Sequence, residues 1–239
     1  MSLGHLTVAA SPYQSKRSDR YSSHSLILRL LGSGGGRRLL DVGAAHGYLA
    51  EELRRQGFQV TGVEANRVLG EEAAKHCDDF LLLDLDGPLP AFAEPFDVMV
   101  FGDVLEHLKN PAAVLRVLTA SLKEEGAIVI SVPNVANVYV RLSLLFGRFD
   151  YQDRGILDRT HLHFFTRTTF REFLRDAGLE AKTLTATPIP LPLVVSQRYQ
   201  GVVFGMLHAA NAWLARAWPT LFGYQFVALA RKEKRSHAA

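Results

Sequence analysis

The chain holds one cysteine, two tryptophans and three methionines in 239 residues. With Cys77 alone, an intramolecular disulfide framework and a cysteine-based zinc cluster are both excluded. No apolar run reaches the ~20 residues that a membrane-spanning helix needs. The longest one near the C-terminus, Gly201–Ala215, is broken by His208 and Asn211. The opening MSLGHLTVAASPYQSKR has no basic start leading into a long apolar stretch, so no export signal is read and a cytoplasmic location is expected. There is no internal repeat, and low complexity is confined to Gly34–Gly36. Strong charge of one sign is missing too. A net +3 and a pI of about 9.1 are too mild to imply a nucleic-acid partner.

What is present suffices for a sizeable core. Hydrophobic residues make up 48%, charged residues 21%, and the mean hydropathy is +0.05. This is the composition of one large domain, or one domain with insertions. Charge is unevenly spread: residues 1–40 carry +5, 41–140 carry −9, 141–182 carry +2 and 183–239 carry +5. An acidic middle thus lies between basic flanks.

In that middle, short apolar runs alternate with helical periodicity. Strands are predicted at 37–43, 58–64, 79–85, 96–103 and 127–134, and helices at 46–56, 66–76 and 111–122. Such alternation implies an α/β fold with an open, mostly parallel sheet covered on both faces. Residues 135–165 have no clean period and many aromatic and basic residues, which suggests an inserted lid. A helix over 168–177 and a strand over 179–187 follow, then the proline-punctuated 188–195 and a helix over 197–217 with Val203, Leu207, Ala210 and Leu214 on one stripe. The last strand is predicted at 223–232. The domain reading is an N-terminal helix and cleft cover (1–35), a main domain (36–232) with insertions near 135–165 and 188–220, and a tail (233–239). Ser18 or Asp19 is expected to cap the first helix.

The most informative segment is LLDVGAAHGYLA (39–50), an Asp-x-Gly-x-x-x-Gly turn between a strand and a helix. Gly43 and Gly47 allow a tight turn and close approach of a ligand. Asp41 puts a carboxylate beside it, which suits a cationic amino-acid ligand and repels a pyrophosphate. A nicotinamide dehydrogenase is excluded on that ground and because no Gly-x-Gly-x-x-Gly follows. Glu64 ends the second strand, where an acid accepts both hydroxyls of a ribose. At the end of the third, Asp84 is suited to an adenine amino group and Leu85 to the ring. Gly102 and Asp103 end the fourth. All lie at the sheet edge where ligands of open α/β folds bind.

The glycine motif, Glu64, Asp84 and FGDVLEHLKNP (101–111), in order and spacing, resemble class I S-adenosylmethionine-dependent methyltransferases. Leu105–Leu108 and LDRTHLHFFTRTTFREFLRDAGL (157–179) are similar to the ubiquinone-biosynthesis O-methyltransferase branch and its bacterial relatives. The resemblance covers roughly 20–187. It implies a Rossmann-like seven-stranded sheet with the last strand antiparallel and S-adenosyl-L-methionine as cofactor, bound by Asp41, Gly43, Gly47, Glu64, Asp84, Leu85, Gly102 and Asp103. One departure is Ala45, which stands where the family often has the middle glycine.

Methyl transfer to a hydroxyl needs a proton acceptor, and histidine is the natural one near neutral pH. His107, His161 and His163 are the candidates. A second reading rests on similarity to the metal set of small-RNA 2′-O-methyltransferases: Asp103, Glu106, His107 and His161 would hold a divalent ion. The expected activity is methylation of a small molecule, most often at oxygen. The rivals are RNA ribose methylation and a non-catalytic partner subunit that keeps the cofactor. No nucleic-acid partner is expected. A homodimer stays open, as does a peripheral membrane contact, since Arg198, Arg216 and the RKEKR run (231–235) flank an apolar helix.

Overall fold

The structure, a computed structural model, describes residues 19–233. The first part of the expected cleft cover (1–18) and the tail beyond residue 233 lie outside the described residues. In chain order the elements are α1 (Ser23–Leu31), β1 (Arg38–Val42), α2 (Tyr48–Arg55), β2 (Gln59–Glu64), α3 (Arg67–Ala73), β3 (Asp79–Leu82), β4 (Phe96–Gly102), α4 (Pro111–Ala120), β5 (Leu122–Pro133), α5 (Val138–Leu145), α6 (Arg167–Asp176), β6 (Leu179–Thr187), the single turn α7 (Leu191–Val194), α8 (Val202–Ala217), the single turn α9 (Pro219–Phe222) and β7 (Gln225–Lys232). The seven strands form one sheet in the order β3-β2-β1-β4-β5-β7-β6. The first five pair in parallel, and β7 inserts antiparallel between β5 and β6. This is the Rossmann-like sheet expected, with its last strand antiparallel.

Alternation along the strands sends side chains to two cores. On one face Leu40, Val42, Met99 and Phe101 pack with Val114 and Leu118 of α4 and Phe170 and Leu174 of α6. On the other, Leu39, Val60, Val98 and Val100 pack with Ile27 and Leu31 of α1 and Leu49 and Leu53 of α2. β4 lies between β1 and β5 and is apolar on both faces, as an inner parallel strand must be. Because β1 to β5 run in parallel, Asp41, Glu64, Leu82, Gly102 and Pro133 come to one edge.

Several boundaries differ from expectation. α4 stops at Ala120 and β5 starts at Leu122, ahead of the predicted 127. The Ser121 carbonyl accepts the Phe96 N–H, and a register shift between Phe96 and Val98 absorbs the exposed Lys123–Glu125 run, whose polarity hides the strand. β3 ends at Leu82, because Asp84 turns the chain by accepting the Asp86 N–H through Oδ1 at 2.9 Å. Within 135–165 the chain forms α5, capped by Asn137 on the Tyr139 N–H. α1 is capped by Ser22, not by Ser18 or Asp19. The predicted stripe of α8 is reversed: Val203 and Leu207 face outward, and His208, Ala212 and Ala215 are the buried side. A helix apolar nearly all round shows a stripe without revealing which side faces in.

Candidate active site

The turn after β1 is built from backbone. Gly43 has φ +75°, and a Cβ there would lie 2.4 Å from Cγ2 of Val104. Gly47, at φ +76°, caps α2 without a side-chain hydrogen bond, so this helix start is left to backbone N–H groups. Ala45 sits at φ +48°, a left-handed conformation that costs a residue with a Cβ about 1 kcal/mol. Its N–H is held by Glu64 Oε2 at 2.9 Å, while Glu64 Oε1 accepts from Asn66 N–H at 2.8 Å. Glu64 thereby ties the glycine turn to the end of β2. Ala45 at the middle position is thus accommodated by the hydrogen bond that its N–H donates to the acid beside it.

Asp41 is the most perturbed acid of the edge. It is 2% exposed, and among the described residues no hydrogen-bond donor reaches its Oδ2. Burial, and then the charge of Glu64, push its carboxyl up to about 7. A buried carboxylate without a donor on one oxygen suits a cation arriving at the strand end, which is where the ammonium of an amino-acid-bearing cofactor would sit. Asp84 is exposed just beyond β3, and Leu85 turns into the core at 7% exposure. These residues fit S-adenosylmethionine: an orphaned carboxylate oxygen for its cationic end, and a glutamate beside a left-handed glycine turn for its ribose.

Asp103 follows β4 in a left-handed conformation, φ +58°, tolerated best by Asp, Asn and Gly. Hydrogen bonds with Ser131 and Gln225 hold it there. Its N–H reaches Ser131 Oγ at 3.0 Å, the Ser131 hydroxyl donates to Oδ1 at 2.7 Å, and Gln225 Nε2 donates to Oδ2 at 2.6 Å. Ser131 and Gln225 were not expected from the sequence, since they come from β5 and β7, and only the strand order places them beside β4.

The 3₁₀ turn Leu105–His107 meets the segment before α6. The Glu106 carbonyl accepts from Leu162 N–H at 2.7 Å and His163 N–H at 3.1 Å. The His107 and His161 rings meet edge to face, centroids 4.7 Å apart. Both tautomers follow from their partners. The Ile156 carbonyl can only accept, so His161 donates to it through Nδ1–H (3.1 Å) and its lone pair is on Nε2. The Thr160 hydroxyl donates to Asp158 Oδ1 at 2.6 Å, so it accepts from His107 Nδ1–H at 3.0 Å. His107 thus also keeps its lone pair on Nε2. Burial works against ionisation of Asp158, but two hydrogen bonds from Thr160, together with the nearby His161 and His107, hold the carboxyl below its ordinary value. Burial, then the neighbouring His107, lower the pKa of His161, which keeps it neutral at pH 7. Asp158 and Thr160 were missed by sequence reasoning; the only signal was their place three residues and one residue before His161 in an irregular segment.

The structure therefore gathers His107 and His161 with Glu106: one ligand atom from each lies within 4.8 Å of the others. Asp103 is not part of that cluster; its carboxylate is engaged by Ser131 and Gln225. His163 is outside it as well.

The sheet order, the glycine turn and the acids at its edge define the fold of a Rossmann-like methyltransferase. The chain belongs to the methyltransferase-domain family, whose pattern it matches over residues 13–184. It is 27% identical over 158 residues to a ubiquinone biosynthesis O-methyltransferase of Xanthomonas axonopodis, covering 63% of this chain and 65% of that protein. To a protein of the same description from Caulobacter vibrioides it is 36% identical over 154 residues, 61% of this chain and 57% of that one. The chain thus spans less than two thirds of the length of these relatives. A SAM-dependent methyltransferase from Thermotoga maritima shares the fold with a TM-score of 0.65, over 92% of this chain and 93% of that one, at 17% identity.

Proposed function

We propose that the protein transfers a methyl group from S-adenosylmethionine to a hydroxyl of a small, hydroxylated acceptor. The observation that carries the reading is the pair of histidines, His107 and His161, whose rings meet edge to face, each with Nε2 unclaimed by the bond that fixes its tautomer. The bound cofactor supplies a methyl group activated as a sulfonium. The chain's own part is to bind and orient. Asp41 receives the cationic end, Glu64 the ribose hydroxyls and Asp84 the adenine side, with Gly43, Gly47, Gly102, Asp103 and Leu85 shaping the cleft. The Nε2 atom of His107 or His161 would take the proton from the acceptor hydroxyl as its oxygen bonds the methyl carbon and the sulfur–methyl bond breaks, with S-adenosylhomocysteine as the leaving thioether. The Asp158–Thr160 pair keeps His107 in the tautomer that can do so. The segment 135–165 serves as the lid that carries Asp158, Thr160 and His161, with His163 at its margin. The relatives' described role in ubiquinone biosynthesis supports a hydroxylated aromatic ring as acceptor.

A second reading is favoured by the same cluster. Two imidazole nitrogens and the Glu106 carboxylate form a donor set suited to a divalent transition metal, which would hold neighbouring hydroxyls of the acceptor. Labelled S-adenosylmethionine with a panel of catechols, hydroquinones and sugars separates the cases. The expected result is a methyl ether of a catechol-type ring. Activity that disappears with a chelator and returns with one metal favours the second reading. A panel with transfer only to nitrogen or carbon contradicts O-methylation.

A further inference from the structure

α8 lies beyond the stretch matched by the family, and its outward side is apolar. Val203, Met206, Leu207 and Trp213 are 71, 68, 61 and 67% exposed, at helical spacing along one side. The buried side is only His208, Ala212 and Ala215, with His208 Nε2 paired to Asp19 Oδ1 at 3.1 Å. The end of α5 behaves alike: Leu145 and Phe146 are 75 and 76% exposed. Single exposed apolar residues are ordinary, but two helices with their larger side chains outward are not.

The two helices belong to one edge of the molecule. α5 leaves the carboxyl end of β5, and α8 lies between the carboxyl end of β6 and the start of the antiparallel β7. The Nδ2 atoms of Asn134 and Asn137 both donate to the Gly223 carbonyl at 2.8 Å, which ties the start of α5 to the turn that follows α8. This is the edge that carries Asp41, Glu64 and the histidine pair. The charge of the two helical segments is one-sided. No aspartate or glutamate occurs in 134–149 or in 188–232, while Arg141, Arg148, Arg198 and Arg216 are exposed there. In the acidic middle of the chain the balance is the reverse.

We infer that this face docks on the surface of an anionic phospholipid bilayer. Arginines bordering apolar side chains and an exposed tryptophan fit an interfacial helix, with the stems buried and the guanidinium groups at phosphate depth. Among the described residues no helix is long and apolar enough to cross a membrane, so the face lies on the bilayer. A second copy of the chain fits less well, because a two-fold contact through this face would set arginines against arginines. Docking presses the cleft mouth against the bilayer, where an acceptor with a lipid tail resides. That purpose rests on the proposed O-methylation; the docking itself does not.

Flotation of the full chain with vesicles tests it without any activity measurement. With phosphatidylglycerol–phosphatidylcholine vesicles the protein is expected to float, at least tenfold more than with phosphatidylcholine alone, and less at high salt. Leu207→Glu with Trp213→Glu, and separately Arg198→Glu with Arg216→Glu, should each reduce flotation at least tenfold. All four side chains are exposed, so circular dichroism and S-adenosylhomocysteine binding should be unchanged. A protein that stays at the bottom with anionic vesicles overturns the inference, as does flotation indifferent to both variants. A dimer in light scattering that the Leu207→Glu, Trp213→Glu variant converts to monomer overturns it in favour of a second copy.

Discussion

Asp41→Asn should make the empty protein more stable at pH 8 while weakening its hold on the cofactor. The carboxyl is raised from 3.8 to about 7 in the folded chain, by burial and by Glu64. A folded-state pKa above the unfolded one means that the folded chain holds the proton more tightly. Stability is therefore full below pH 3.8 and falls as the pH rises to about 7, by ~1.4 kcal/mol per unit. Between pH 5 and pH 8 the empty wild type should lose about 3 kcal/mol relative to Asp41→Asn. Denaturant unfolding of both proteins at the two pH values measures the difference. Parallel behaviour would show that Asp41 carries no such penalty. In S-adenosylhomocysteine binding the order reverses. The wild type should bind more tightly as the pH rises through 7, since the ligand's ammonium meets the ionised form, and Asp41→Asn should bind at least tenfold more weakly.

The second large effect belongs to the histidine pair. His161→Asn and His107→Asn should each lower kcat about 10²- to 10⁴-fold, the usual worth of a positioned proton acceptor, with cofactor affinity unchanged within about twofold. The relay gives a finer test. In Asp158→Asn the new amide can donate to the Thr160 hydroxyl, which must then donate to His107 Nδ1. That moves the ring proton to Nε2 and removes the lone pair. Asp158→Asn should therefore lower kcat with little change in KM, and Thr160→Ser, which keeps the hydroxyl, should stay near wild type. A Thr160→Ser loss equal to that of Asp158→Asn would show that the contacts only pack the lid.

Much of this was legible in the sequence because parallel strands are short apolar runs and their ends are marked by glycine or acid. Asp41, Glu64 and Gly102 sit at the sheet edge that such runs imply. What escaped has physical reasons. Ser131 and Gln225 reach Asp103 only because β7 inserts beside β5. The tautomers of His107 and His161 depend on Thr160 and Ile156, side-chain and carbonyl contacts with no sequence period. α5 and the outward side of α8 were obscured because apolar residues there face away from the sheet, and periodicity assigns them inward. The uneven charge has a structural counterpart as well: the acids of 41–140 include Asp41, Glu64 and Asp103 at the sheet edge, and Arg141, Arg148, Arg198 and Arg216 lie in the acid-free segments around α5 and α8.

Cofactor binding at the sheet edge between β1 and β2 is open to a direct test. Calorimetry of the wild type with S-adenosylhomocysteine should show one ligand per chain, and Glu64→Ala, checked as folded by circular dichroism, should bind at least a hundredfold more weakly, with His161→Asn binding like the wild type. No binding by the wild type, or equal binding by Glu64→Ala, would contradict it.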